Sequence, residues 1–99
     1  MQSIVHKKDG SCFLCEYIHQ DYRIHTYLEK HHIFGGPNRK HSERTGLYCW
    51  LCPEHHRTGK EAVHLNKDIR IQLQAHAQRV YEQTHSREEF MRIFGRSYI

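Results

Sequence analysis

Two pairs of side chains in this sequence share one spacing that suits a metal ion: Cys12-Phe13-Leu14-Cys15 and Cys52-Pro53-Glu54-His55. Two intervening residues let both members of a pair turn back onto one cation. Three thiolates and one imidazole, soft sulfur and borderline nitrogen, suit tetrahedral zinc. Either pair alone reads equally well as buried cysteine acting as a small hydrophobe. Two pairs at chelating spacing favour a structural zinc held by Cys12, Cys15, Cys52 and His55. Cys49 also forms a Cys-x2-Cys pattern with Cys52. In a strand, however, residues 49 and 52 face opposite sides, so Cys49 is assigned to the core.

Histidine supplies a second chemistry. The chain has 11 His in 99 residues, spread from His6 to His85, so they are not a tag. Imidazole is the commonest metal ligand and titrates near neutrality. The densest groupings are Lys30-His31-His32-Ile33-Phe34-Gly35-Gly36 and Leu51-Cys52-Pro53-Glu54-His55-His56.

Those two groupings, with the Cys pairs, resemble the HNH (ββα-metal) endonucleases, especially the small versions from phage genomes. The resemblance covers Cys12 to about Asn66. It implies that His32 is the general base and that His31 and His56 hold a catalytic divalent ion. Adjacent helical residues point about 100° apart, so His55 and His56 can serve two different ions. Many relatives carry another ligand four residues after the helix His. Lys60 occupies that position here, and His64 can replace it if the chain curls back. The family's middle Asn is also missing. Leu47 stands there, with Asn38, Ser42 and Glu43 in the preceding loop as substitutes.

Phosphodiester hydrolysis needs a deprotonated water and a stabilised leaving oxygen, and a His base with one divalent ion supplies both. Imidazole ligands suit Mn²⁺, Ni²⁺, Co²⁺ or Zn²⁺, and a site also open to water and phosphate oxygens takes Mg²⁺. The net charge of +4 favours a polyanion. Arg39, Lys40 and Arg44 in the interstrand loop, with Arg57 and Lys60 near the short helix, are the candidate DNA-phosphate contacts. No base-reading helix is recognisable, so little sequence specificity is expected. Tyr17, Tyr22 and Tyr27 could stack on bases, but aromatics in a small domain are more often core, and they are assigned no function.

The elements that must position these groups follow from local signals. Residues 27–36 read as a strand stopped by two glycines, 37–46 as a polar loop, and 47–52 as a second, aromatic strand. Pro53 suits a first helical turn, so a short helix opens at Glu54-His55-His56-Arg57 and ends at Gly59. Ile69, Leu73, Ala77 and Val80/Tyr81 form one helical stripe. Ser86 with Glu89 is a capping-box pattern opening a last helix from about Arg87 to Phe94, with Phe90, Ile93 and Phe94 inside and Gly95 as its stop. The expectation is one α+β domain over residues 1–99. Residues 12–66 make a small zinc-stabilised ββα-metal (HNH) fold, and residues 67–99 pack C-terminal helices behind it.

No apolar run approaches the ~18 residues of a membrane span, and the N-terminal residues lack a stretch of signal-peptide length. The chain is therefore expected in the cytoplasm, the bacterial host's if it is phage-encoded, and a secreted disulfide scaffold is excluded as the first explanation of the cysteines. The expected activity is metal-dependent DNA cleavage, with a recombination, replication or packaging protein as a further partner. The competing reading is a catalytically silent zinc module that binds nucleic acid or protein, and a regulatory phage protein is a third.

Overall fold

The computed structural model describes residues 1–99. Two short antiparallel strands, β1 (Glu29–His32) and β2 (Tyr48–Leu51), lie at its centre. Their register pairs Glu29 with Leu51, Lys30 with Trp50, His31 with Cys49 and His32 with Tyr48. Because strand side chains alternate, Glu29, His31, Cys49 and Leu51 share one face. Lys30, His32, Tyr48 and Trp50 share the other.

Four helices surround this hairpin: α1 (Phe13–His19), α2 (Arg39–Thr45), α3 (Lys67–Tyr81) and α4 (Arg87–Phe94). A single π-helical turn, Glu54–Thr58, follows β2. Both strands are shorter than the 27–36 and 47–52 expected. The polar loop expected over 37–46 is corrected: a 3₁₀ turn, Gly36–Asn38, runs into α2. Only one α2 residue, Ser42, is buried, so no apolar stripe announces this helix. Gly46 closes it at φ 78°, where an added Cβ would meet the Gln2 carbonyl oxygen at 2.6 Å. The neighbouring Ile4 N–H donates to the Gly46 carbonyl at 2.9 Å and ties down the N-terminal segment.

The core is continuous. Leu14 of α1, Leu47, Cys49 and Leu51 around β2, Val63, and Leu73 and Ala77 of α3 are all essentially inaccessible. Phe34 packs against Phe94 and Phe90, with ring centroids 4.7 and 5.5 Å apart. Each fully buried ring of this kind contributes about 1.5–3 kcal/mol relative to exposure. That packing fastens the C-terminal helices to the segment after β1.

The expected α3 stripe is present, with Leu73, Ala77 and Tyr81 buried and Ile69 packed against the core. Its N-cap is Asn66, whose side chain accepts from Ile69 N–H at 3.1 Å. Ser86 caps α4 by accepting from Glu89 N–H at 3.0 Å. The capping box is only half realised, because the Glu89 carboxylate accepts from the Tyr81 hydroxyl. Phe90 and Phe94 are buried, Ile93 packs beside them, and Gly95 ends α4 in the left-handed region. No helix is long and apolar enough to cross a membrane.

Candidate metal centres

The first centre is assembled from three segments. Cys12 is the N-cap residue of α1 and Cys15 lies in its first turn. Cys52 directly follows β2, and His55 lies in the π turn. All four are buried, and their donor atoms lie within 4.8 Å of one another. His55 Nδ1 is 3.3 Å from Cys15 Sγ, 3.5 Å from Cys52 Sγ and 3.9 Å from Cys12 Sγ. Cys15 and Cys52 sulfurs are 3.9 Å apart.

A zinc tetrahedron with Zn–S of about 2.3 Å and Zn–N of about 2.0–2.1 Å has edges of roughly 3.5–3.8 Å. The donor set therefore fits such an ion in both chemistry and size. Burial, with the neighbouring thiols, pushes the Cys15 and Cys52 thiols up from their ordinary values. Three buried thiols around one imidazole nitrogen call for a cation to stabilise their anionic form. The cluster can hold a metal ion such as zinc, and Nδ1 is the ligating atom of His55.

Cys49 is fully buried and outside this cluster. As expected from strand alternation, it points into the core, where burial raises its thiol pKa. No disulfide forms among the four cysteines.

The second centre lies on the Glu29/His31 face of the hairpin. His31 comes from β1, His56 from the π turn and His64 from the segment before α3. Their donor atoms also lie within 4.8 Å of one another. His56 Nε2 and His64 Nε2 are 3.1 Å apart. Two imidazole nitrogens about 2.0–2.1 Å from one ion would be separated by roughly 3–3.4 Å. His31 Nε2 is buried and has no hydrogen-bond partner. Burial, followed by the His56 and His64 imidazoles, pushes the His31 pKa down to about 3, so its ring is neutral at pH 7. A buried ring nitrogen without a hydrogen-bond partner, facing two further imidazoles, is the donor a cation would satisfy.

Exposure differs across this trio. His31 is buried, His56 partly so, and His64 exposed, so the centre opens to solvent on one side. The His64 contact arises because the chain does curl back: His64 N–H donates to the His56 carbonyl at 3.2 Å, and Val63 N–H to that of His55 at 2.8 Å. Lys60 stays exposed, and its side chain takes no part.

Glu29 belongs to this second candidate centre, and the sequence reading missed it. Its Oε1 accepts from His56 Nδ1–H at 2.7 Å, which leaves Nε2 facing His64. Arg57 grips the same carboxylate through Nε and Nη2 at 2.9–3.1 Å, and the Tyr27 hydroxyl adds a bond of 3.0 Å. The Arg57 and His56 contacts hold the Glu29 carboxyl down at about 2. A carboxylate behind a metal-binding His fixes the ring's tautomer and orientation. The available signal was strand alternation, which puts residues 29 and 31 on one side.

His32 turns to the opposite face. Its Nε2 lies 2.7 Å from Glu43 Oε1, and Lys30 Nζ donates to the same oxygen at 2.8 Å. Those contacts, Lys30 first, lower the Glu43 carboxyl to about 2. Beside His32 is an open depression of about 670 Å³ lined also by Gly36, Pro37, Arg39, Lys40 and Glu43. Two of the five basic candidates, Arg39 and Lys40, therefore stand next to His32. Arg57 is engaged by Glu29, and Arg44 reaches His41 Nδ1 at 3.0 Å. A larger depression, about 770 Å³, lies between residues 1–8 and the Tyr48 and Trp50 rings, and none of the two centres' ligands lines it.

The three substitutes for the middle Asn separate in role. Ser42 Oγ accepts from Phe34 N–H at 2.9 Å and donates to the Phe34 carbonyl at 3.1 Å, bracing the turn after β1. Glu43 contacts His32. Asn38 Nδ2 donates to the Phe94 carbonyl at 3.2 Å, away from both centres. Leu47 itself is buried in the core.

Of the remaining clusters, His6 with Asp9 and Glu16 is a satisfied structural group. His6 Nδ1 accepts from Trp50 N–H at 3.1 Å, Nε2 meets Ser11 Oγ at 3.2 Å, and that hydroxyl donates to Asp9. Tyr17, Tyr22 and Tyr27, expected in the core, are instead exposed. Comparison with family models, curated proteins and solved structures returned no match to this chain.

Proposed function

We propose that the protein is a small HNH-type endonuclease that hydrolyses DNA phosphodiester bonds. In this reading Cys12, Cys15, Cys52 and His55 hold a structural zinc, and His31, His56 and His64 hold the catalytic ion. The supporting observation is the convergence of those three imidazoles, one of them carrying a buried unpartnered nitrogen, at the hairpin beside the sulfur centre.

His31, His56 and His64 would hold a divalent ion, whose positive charge would offset the negative charge that builds up on the phosphate during hydrolysis. The chain's own groups do the rest. Glu29, fixed by Arg57, keeps His56 Nε2 directed at the centre. His32 has no protein partner at Nδ1, and that nitrogen takes the proton of the attacking water. The resulting imidazolium donates from Nε2 to Glu43, whose carboxylate offsets the charge gained. Arg39 and Lys40 flank the same depression and hold neighbouring phosphates, contributing salt-dependent affinity without reading bases.

The test is metal-titrated cleavage of supercoiled plasmid, with chelator and His32→Ala controls. Metal-dependent scission by the parent, abolished in the variant, is the expected result. Undiminished cleavage by His32→Ala would remove His32 from the base role.

One observation favours a second reading. His31 and His32 lie on opposite faces of the hairpin, and Glu43 already engages His32 Nε2. A zinc module that binds nucleic acid or protein without cutting would tolerate that arrangement. DNA binding without scission at any metal concentration selects it.

A further inference from the structure

The sulfur centre leaves one polar atom unexplained. His55 Nδ1 faces the three sulfurs, so a metal-bound His55 must carry its ring proton on Nε2. That Nε2 is buried and has no hydrogen-bond partner. An N–H removed from water is costly unless an acceptor meets it. The carboxylate facing it is Glu61, whose Oε1 lies 3.7 Å from His55 Nε2. Glu61 Oε1 also lies 2.7 Å from His19 Nε2, while its other oxygen has no protein partner. Glu61 is about one-third exposed (34 %), so a modest side-chain rotation can present that free oxygen to His55.

The segment carrying Glu61 is fixed. Ala62 N–H donates to the Gly59 carbonyl at 3.0 Å, Val63 N–H to that of His55 at 2.8 Å, and Asn66 Nδ2 to that of Lys60 at 3.0 Å. Ala62 and Val63 are inaccessible. Gly59 allows the return, since a Cβ there would lie 2.6 Å from Glu54 Cγ and 2.8 Å from the Glu54 carbonyl oxygen. A surface ion pair between His19 and Glu61 alone would leave His55 Nε2 without an acceptor.

We propose that Glu61 is the outer-shell carboxylate of the Cys12/Cys15/Cys52/His55 centre, a positioning residue that accepts from His55 Nε2–H and so directs Nδ1 at the bound metal. This rests on the metal-binding reading of that centre and is independent of the nuclease reading.

The test is equilibrium competition between the full-length protein and a chromogenic chelator for zinc, supported by the absorption spectrum of the cobalt-substituted protein. Glu61→Ala is expected to weaken zinc retention about 10–100-fold. Glu61→Gln, whose amide oxygen can still accept from Nε2–H, is expected to recover most of that loss. Thiolate-to-cobalt absorption should persist in both variants at saturating cobalt, with native far-UV circular dichroism showing that the fold is intact. Unchanged zinc affinity in Glu61→Ala overturns the proposal. So does loss of an additional ion per chain, which would make Glu61 a ligand. If the parent protein gives no thiolate-to-cobalt absorption, the centre itself is misread and the proposal falls with it.

Discussion

The two centres share the π turn yet differ in access to solvent. The sulfur centre has four buried ligands drawn from α1, the end of β2 and the π turn. The imidazole centre grades from buried His31 through His56 to exposed His64. Structural metal sites are closed by protein ligands, whereas reactive ones keep a coordination position for water or substrate. One hairpin thus carries a centre suited to holding the fold and another suited to meeting a ligand. Donor type follows the same division, three sulfurs with one imidazole at the closed centre and imidazoles alone at the open one.

The largest expected effect comes from opening the closed centre. Cys52→Ala, or exhaustive chelation, should unfold the chain, because zinc binding to small domains shares about 10–16 kcal/mol with folding. Loss of far-UV circular dichroism, recovered on zinc addition to the chelated parent, checks this. A chain that stays folded without metal would show that the hydrophobic core suffices.

The next effect separates chemistry from folding. His32→Ala should reduce plasmid cleavage about 10²–10⁴-fold, the usual worth of a positioned base. Thermal stability and the sulfur-bound ion should persist. If melting temperature falls together with activity, His32 serves the fold.

Glu29→Ala should weaken the ion at the imidazole centre about 10–100-fold, since it frees the His56 ring. Isothermal titration of metal into protein already loaded at its sulfurs reads this directly. Equal loss from both centres would erase the distinction between them.

The smallest effect tests the boundary of the closed centre. Cys49→Ala removes one buried sulfur and should cost on the order of 1 kcal/mol in denaturant unfolding, with zinc content unchanged. Loss of one zinc equivalent would make Cys49 a ligand.

These two centres were not equally visible in the sequence. The sulfur ligands announce themselves through two identical spacings, and strand alternation removes Cys49. The imidazole trio needs His64, eight residues after His56 and placed by a return that only the folded chain displays: the bonds from Val63 and His64 to His55 and His56. Glu29 was legible by alternation, but Glu61 was not, because its place depends on the turn at Gly59. Among the elements, α3 follows from apolar residues four apart, and α4 from Ser86, its aromatic face and Gly95. The helix α2 escaped because Arg39–Thr45 is polar throughout and is held by Ser42 and neighbouring turns. The helix α1 escaped too, since its seven residues are too few for a clear period.

The π turn has a further consequence. Its wide loop, closed by the Gly59 N–H on the Glu54 carbonyl at 2.9 Å, carries His55 and His56 side by side toward different centres. Deleting or inserting a single residue there would shift both rings together. Neither centre can be re-spaced alone, so natural variation in length should be absent between Cys52 and His64 and tolerated at the surface ends of α3 and α4.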